Sequence, residues 1–223
     1  MSRGLGDVYK RQAFHTVYQD PQGWMGEGIQ DQIYPMMYFR QNNFYPFVLD
    51  WQEQCNGRQI IPGLGIYFLH PDEGNWIRED VDRQINFIRE HKLAGEAHYR
   101  AKYLMDNTQG IYDELTENFY AHPALQPAMP WLDNVPPSAP SGLKVISGKD
   151  GYTSLTWQAA TDNDKMNAPR YVVYASDVYP VDTTRPENII AQGIRGTEYI
   201  YAPLQPWNRN CLLYTSPSPR DTR

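Results

Sequence analysis

The clearest period in the chain runs through WIREDVDRQINFIREHK, residues 76–92. Ile77, Val81, Ile85 and Ile88 fall on one stripe, with charged residues on the other faces, so the spacing predicts an amphipathic helix, with Gly95 following it. Upstream, IQDQIYPMMYF (29–39) and QIIPGLGIYFL (59–69) are apolar runs that predict buried strands. FYPFVLDWQEQ (44–54) between them predicts a helix with Pro46 in its first turn. GEAHYRA (95–101) predicts a third strand. NTQGIYDELTENFY (107–120) predicts a third helix, with Asn107 as N-cap and Ile111, Leu115 and Phe119 on one face. Three strand–helix units in a row imply a parallel sheet with outer helices.

The pattern changes at residues 123–142, PALQPAMPWLDNVPPSAPSG, where proline forbids a continuing helix or central strand. Beyond it GLKVISG, TSLTWQAA, RYVVYASD and TEYIYAP alternate as short strands between Gly, Asp, Asn and Pro loops. That spacing predicts a small β-sandwich with Trp157 in its core.

The run from WMGEGIQDQIYPMMYF through IIPGLGIY to NWIREDVDRQINFIREHKLAGEAHYRAKYLMDNTQGIYDELTENFYAHPALQPAMPWLD resembles the glycosyl hydrolase-like 10 family of bacterial extracytoplasmic TIM-barrel proteins. NAPRYVVYASDVYPVDT and NIIAQGIRGTEYIYAP resemble a fibronectin type III domain. The resemblance implies an α/β fold: about three βα units from the C-terminal part of a TIM barrel, then an incomplete fibronectin III-like β-sandwich. A whole barrel takes about 250 residues, and an immunoglobulin-like sandwich about 100. The chain is therefore expected to be a piece of a longer protein.

The two ends carry a second resemblance. Residues 2–12, SRGLGDVYKRQ, are what one reading frame of a tagmentation adaptor with its transposon end encodes. Residues 211–221, CLLYTSPSPRD, are what the reverse complement of the same element encodes. The expected division is 1–12 adaptor-derived, 13–122 barrel, 123–140 linker, 141–210 truncated type III domain and 211–223 adaptor-derived. The full chain carries a net charge of −6. The ends hold five Lys/Arg and two Asp, so the remainder is at −9. No basic patch is left to suggest nucleic acid. Cys211 lies in the adaptor-like end, and Cys55 alone makes neither a disulfide framework nor a zinc site.

Barrel active sites lie at the C-terminal ends of the strands. The resemblance places Tyr34, Tyr38, Tyr67, Tyr99 and Arg100 there, with Met37 between them. Flat aromatic faces suit sugar rings, and an arginine suits hydroxyls or the carboxylate of an acidic sugar. The same tyrosines equally suit core or loop packing. Asp31 and Glu27 suit structural roles, and Glu96 falls in the middle of the third predicted strand. Glycoside hydrolysis needs two flanking carboxylates, and no strand-end pair stands out in residues 29–105. The catalytic residues are therefore expected upstream of this chain, which would itself be inactive. His70, His91, His98 and His122 match no zinc spacing. GLG (63–65) is not a phosphate loop, and no metal or other cofactor is expected. The resemblance implies a parent glycoside hydrolase acting on cell-wall, peptidoglycan-type glycan outside the cytoplasm, associated with the cell envelope. The alternative is a non-catalytic carbohydrate-binding or scaffolding protein of the envelope.

Overall fold

A computed structural model describes residues 14, 15, 18–148, 151–162 and 168–202, with the backbone of 212–217. The adaptor resemblance of residues 1–12 falls outside the described residues, as does most of that of 211–223. The chain divides into two compact units, Met1–Asn118 and Phe119–Arg223, a division just ahead of the proline-rich stretch.

In the first unit, helix α1 (Pro21–Gly26) leads to strand β1 (Gln32–Ile33). Helix α2 (Tyr45–Glu53) follows, then β2 (Gln59–Ile60) and β3 (Gly63–Leu64). Helix α3 (Arg78–Glu90) precedes β4 (Ala97–His98), α4 (Ala101–Met105) and α5 (Ile111–Glu114). β1 pairs parallel with β2 through Gln32↔Gln59 and Ile33↔Ile60. β3 pairs parallel with β4 through Gly63↔Ala97 and Leu64↔His98. A parallel bridge, Met36↔Gly63, ties the exit of β1 to β3. Three chain segments thus lie side by side in chain order, each next pair separated by a helix. Among the described residues they close no barrel.

The regular strands are shorter than the apolar runs that carry them. Pro35 lacks an N–H and interrupts the ladder after β1; beyond it Met36 is 73% exposed. Pro62 separates β2 from β3, and the run to residue 69 ends as a 3₁₀ turn, Ile66–Leu69. The segment 95–101 is extended for two residues before α4 begins.

Helix α3 buries Val81, Ile85 and Ile88, three members of the expected stripe. Ile77 is 52% exposed, because it lies at the N-cap, before the helical turn can direct it inward. Asp80 reaches back to the Ile77 N–H at 3.4 Å and meets Arg40 at 3.1 Å. Gln84 takes the next inward position and donates to the Phe39 carbonyl at 2.7 Å, which anchors the chain leaving β1. The helix expected from residue 107 begins only at Ile111. Asn107, Gln109 and Gly110 all have positive φ, which uncoils the chain there. Asn107 still caps, its Oδ1 accepting from Tyr112 N at 2.9 Å.

The second unit contains two antiparallel sheets. β5 (Ser141–Ser147), β6 (Thr153–Gln158) and β9 (Glu198–Tyr201) form one, in the order β5-β6-β9. β7 (Tyr171–Ser176), β8 (Ile189–Ile194) and β10 (Leu212–Pro217) form the other, in the order β10-β7-β8. Leu155 and Trp157 from one sheet share a core with Tyr171 and Val173 from the other. Val172 and Tyr174, on the opposite face of β7, are buried against Ile189, Leu125 and Val181. A strand covered on both faces is apolar throughout rather than alternating, which accounts for the YVVYA run. The Tyr171 hydroxyl accepts from Ala160 N–H at 2.8 Å. β10 falls within the adaptor-like end: its backbone pairs with β7 from Leu212↔Ser176 to Pro217↔Tyr171, occupying an edge that would otherwise expose unpaired groups.

Candidate functional site

Three of the five expected residues meet at the ends of the parallel strands. Tyr38 leaves β1, Tyr67 sits on the 3₁₀ turn after β3, and Tyr99 directly follows β4. The rings of Tyr38 and Tyr99 stack with centroids 5.4 Å apart. Tyr67 stands edge-on to both, at 5.7 Å from each. Backbone bonds hold the trio: Tyr67 N–H donates to the Tyr99 carbonyl at 3.2 Å, and Tyr99 N–H to Leu64 at 2.9 Å. The GLG sequence makes the approach possible. A Cβ on Gly63 would lie 3.2 Å from the Tyr38 ring, and one on Gly65 3.1 Å from the Tyr38 Cβ.

The three rings are not equivalent. Tyr38 and Tyr67 are half-buried, whereas Tyr99 is 48% exposed. One face of Tyr99 is covered by Tyr38, so Tyr99 is the exposed ring of the cluster and the other two support it. Burial, then the phenols of Tyr99 and Tyr67, push the Tyr38 hydroxyl's pKa up. Burial, then the Glu73 charge, does the same to Tyr67. Both phenols therefore stay protonated at neutral pH, as hydrogen-bonding groups rather than charges.

Arg100 follows Tyr99 and borders the cluster. Its Nη2 lies 3.4 Å from the Tyr103 hydroxyl and 3.8 Å from Glu73 Oε1. The contact with Tyr103, ahead of Glu73, raises its pKa. The buried Tyr103 donates its hydroxyl to Glu73 Oε1 at 2.8 Å. Arg100 and Lys102 both lie over the Tyr103 ring, at 5.4 and 4.7 Å.

Glu73 was not among the sequence candidates. It belongs to HPDEGN, a turn whose signal is punctuation rather than chemistry. The structure makes that turn rigid. Glu73 and Gly74 N–H both donate to the His70 carbonyl, at 3.0 and 3.2 Å. A Cβ on Gly74 would come within 2.3 Å of the Phe68 ring, so the turn lies flat on that ring. One side chain closes the loop: Gln109 Nε2 donates to the Leu69 carbonyl at 2.7 Å and to the Trp76 carbonyl at 2.8 Å. Gln109 was also missed, since a lone glutamine after a strand–helix pattern carries no periodic signal.

Tyr34 belongs elsewhere. Its hydroxyl donates to Gln32 Oε1 at 2.9 Å. It lines a groove of about 530 Å³ beside β1, with Trp24, Met36, Phe39 and Trp51. Met37 is buried. Asp31 is half-buried just ahead of β1, its carbonyl accepting from Gln59 N–H at 3.0 Å. Glu27 caps the C-terminus of α1. Glu96 precedes β4. His70 lies 5.8 Å from the Tyr103 ring, and His91 stacks on Phe87 at 4.0 Å. His98 packs inside β4, where burial lowers its pKa to about 4.

No family model matches the chain, and no solved structure matches it. The chain is 29% identical over 173 residues to the glycosyl hydrolase YngK of Bacillus subtilis (strain 168). The match covers 74% of this chain and 34% of that protein, so the chain spans about a third of its curated relative's length. The chain is thus a distant relative of a protein named as a glycosyl hydrolase, and its relationship is glycosyl hydrolase-like.

Proposed function

We propose that this chain is the glycan-contacting part of a bacterial glycoside hydrolase, and that Tyr99, backed by Tyr38 and Tyr67, is its sugar-stacking ring. The observation that carries the reading is the exposed Tyr99 face at the ends of the parallel strands, supported by two protonated phenols and flanked by Arg100. A pocket for a neutral, hydroxyl-rich ligand combines an aromatic surface with a few fixed polar groups. The relative named as a glycosyl hydrolase supports the same class. Cell-wall, peptidoglycan-type glycan and a place outside the cytoplasm, associated with the envelope, complete the proposal. So does the origin of the parallel unit as the end of a TIM barrel and of the second unit as a truncated type III domain.

Hydrolysis requires a second carboxylate across the scissile bond. The chain alone is proposed to bind without cleaving, with its catalytic partners supplied by the rest of the parent. Glu73 is the carboxylate that the described contacts bring to this cluster, which also favours a second reading, a non-catalytic carbohydrate-binding protein. Calorimetry with an N-acetylglucosamine tetramer tests the site. Tyr99→Ala is expected to weaken binding at least roughly ten-fold, as loss of an aromatic contact implies, with the circular dichroism spectrum unchanged. Equal binding by both proteins would make the tyrosines packing residues. Release of reducing ends by the chain itself would refute the division of labour.

A further inference from the structure

We infer that Glu73 is a specificity-determining residue of this site, selecting, for the one sugar unit that stacks on Tyr99, uncharged, hydroxyl- or acetamido-bearing sugars over carboxylated ones. The inference rests on the glycan-binding reading above. Arg100 alone would suggest the opposite, a receptor for an acidic sugar. Its guanidinium, however, faces Glu73 at 3.8 Å. The pair is solvent-exposed at 49% and 39% and so contributes little to stability. Its consequence is for charge: the positive group beside Tyr99 is already balanced before any ligand arrives.

Glu73 is held for this task on one oxygen. Oε1 takes the Tyr103 hydroxyl and faces Arg100. Oε2 makes no hydrogen bond or ion pair among the described residues, and the side chain is 39% exposed. The carboxylate is near enough to Tyr67 to raise its hydroxyl's pKa, and Tyr67 touches Tyr99 edge-on. Oε2 is therefore an open acceptor next to Arg100, the residue that follows Tyr99. A sugar O–H or acetamido N–H can donate to it in a charge-assisted bond. A sugar carboxylate would instead meet a like charge. The rigidity of the turn matters, because a freely swinging glutamate would rotate away from an unwelcome anion. The two Gln109 bonds and the Gly74–Phe68 contact fix the turn in place.

The test compares an N-acetylglucosamine tetramer with a galacturonate tetramer, by calorimetry, on wild type, Glu73→Gln and Tyr99→Ala. Glutamine keeps the Tyr103 contact and the shape, and removes the charge. Wild type is expected to prefer the neutral tetramer by at least roughly ten-fold. Glu73→Gln should weaken neutral binding by roughly ten-fold, as loss of a charge-assisted bond implies, and strengthen galacturonate binding through the uncompensated Arg100. Unfolding midpoints of wild type and variant should coincide, which separates selectivity from folding. If Tyr99→Ala abolishes binding but Glu73→Gln leaves both affinities within about two-fold, the sugar site stands and the role of Glu73 is overturned. If neither tetramer binds wild type, the site reading fails and this inference with it.

Discussion

His98 gives the sharpest quantitative prediction. It sits on β4 opposite Leu64, and burial lowers its pKa from 6.5 to about 4. The folded chain therefore keeps the imidazole neutral at a pH where the unfolded chain protonates it. A depressed histidine pKa contributes its full stability above the unfolded value and loses it as pH falls. The window runs from about 6.5 down to about 4. Summing proton uptake over that interval, acidification from pH 8 to pH 5 should cost about 2 kcal/mol. The limiting loss below pH 4 approaches about 3 kcal/mol. Urea unfolding of the chain at pH 8, 7, 6 and 5 measures it, with unfolding of the first unit followed by amide exchange on α3. His98→Gln removes the titrating group and should flatten the profile between pH 6.5 and 5, even if it lowers stability at pH 8. An NMR titration of the His98 ring gives the folded pKa directly. The argument fails if wild type and variant lose equal stability over the window, or if the ring titrates near 6.5.

Two further perturbations test the frame around the site. Burial, then the Glu114 charge, push the Asp82 carboxyl up against the opposing pull of Arg78. A raised carboxyl makes the folded state relatively less stable as pH climbs past the unfolded value, so Asp82→Asn should shift the urea midpoint upward at pH 7 and leave it unchanged at pH 3. Gly74→Ala inserts a methyl within 2.3 Å of Phe68, whose ring is pinned between Tyr67 at 4.0 Å and Trp76 at 4.8 Å. Overpacking of this kind costs about 1–3 kcal/mol, and amide exchange of Glu73 and Gly74 should accelerate more than that of α3.

The sequence made some elements legible and hid others for physical reasons. Helix α3 was readable because Val81, Ile85 and Ile88 satisfy one period over two turns. The cores of β6 and β7 were readable because aromatic and β-branched residues concentrate between turn formers. β8 was not read as a separate strand, since IIAQGI contains Gly193 at positive φ and lacks alternation. The extended runs of the first unit were overread because apolar character continues past Pro35 and Pro62, which cut the regular strands to two residues each. At the site, tyrosines at strand ends announced themselves by position. Periodicity could not say that Tyr34 would leave for a groove beside β1 while Tyr38 turned back onto Tyr99. Nor could it find Glu73, whose place depends on a glutamine 36 positions later in the chain.

That dependence also decides what the chain can be asked experimentally. The contacts that set the cluster run among residues 38 to 109: Gly63 and Gly65 against Tyr38, Tyr67 against Tyr99, Tyr103 against Glu73, and Gln109 across the turn. None of them reaches outside the first unit. A site whose supports are local keeps its geometry whenever those segments are folded. Catalysis is different, because it needs a second carboxylate at a set distance from the first. On the proposed function, binding and cleavage should therefore separate, with sugar affinity measurable on this chain and bond breaking absent from it. A chain that lost sugar affinity while keeping its α3 protection would break that argument, since it would mean that the cluster needs a wall these residues do not provide.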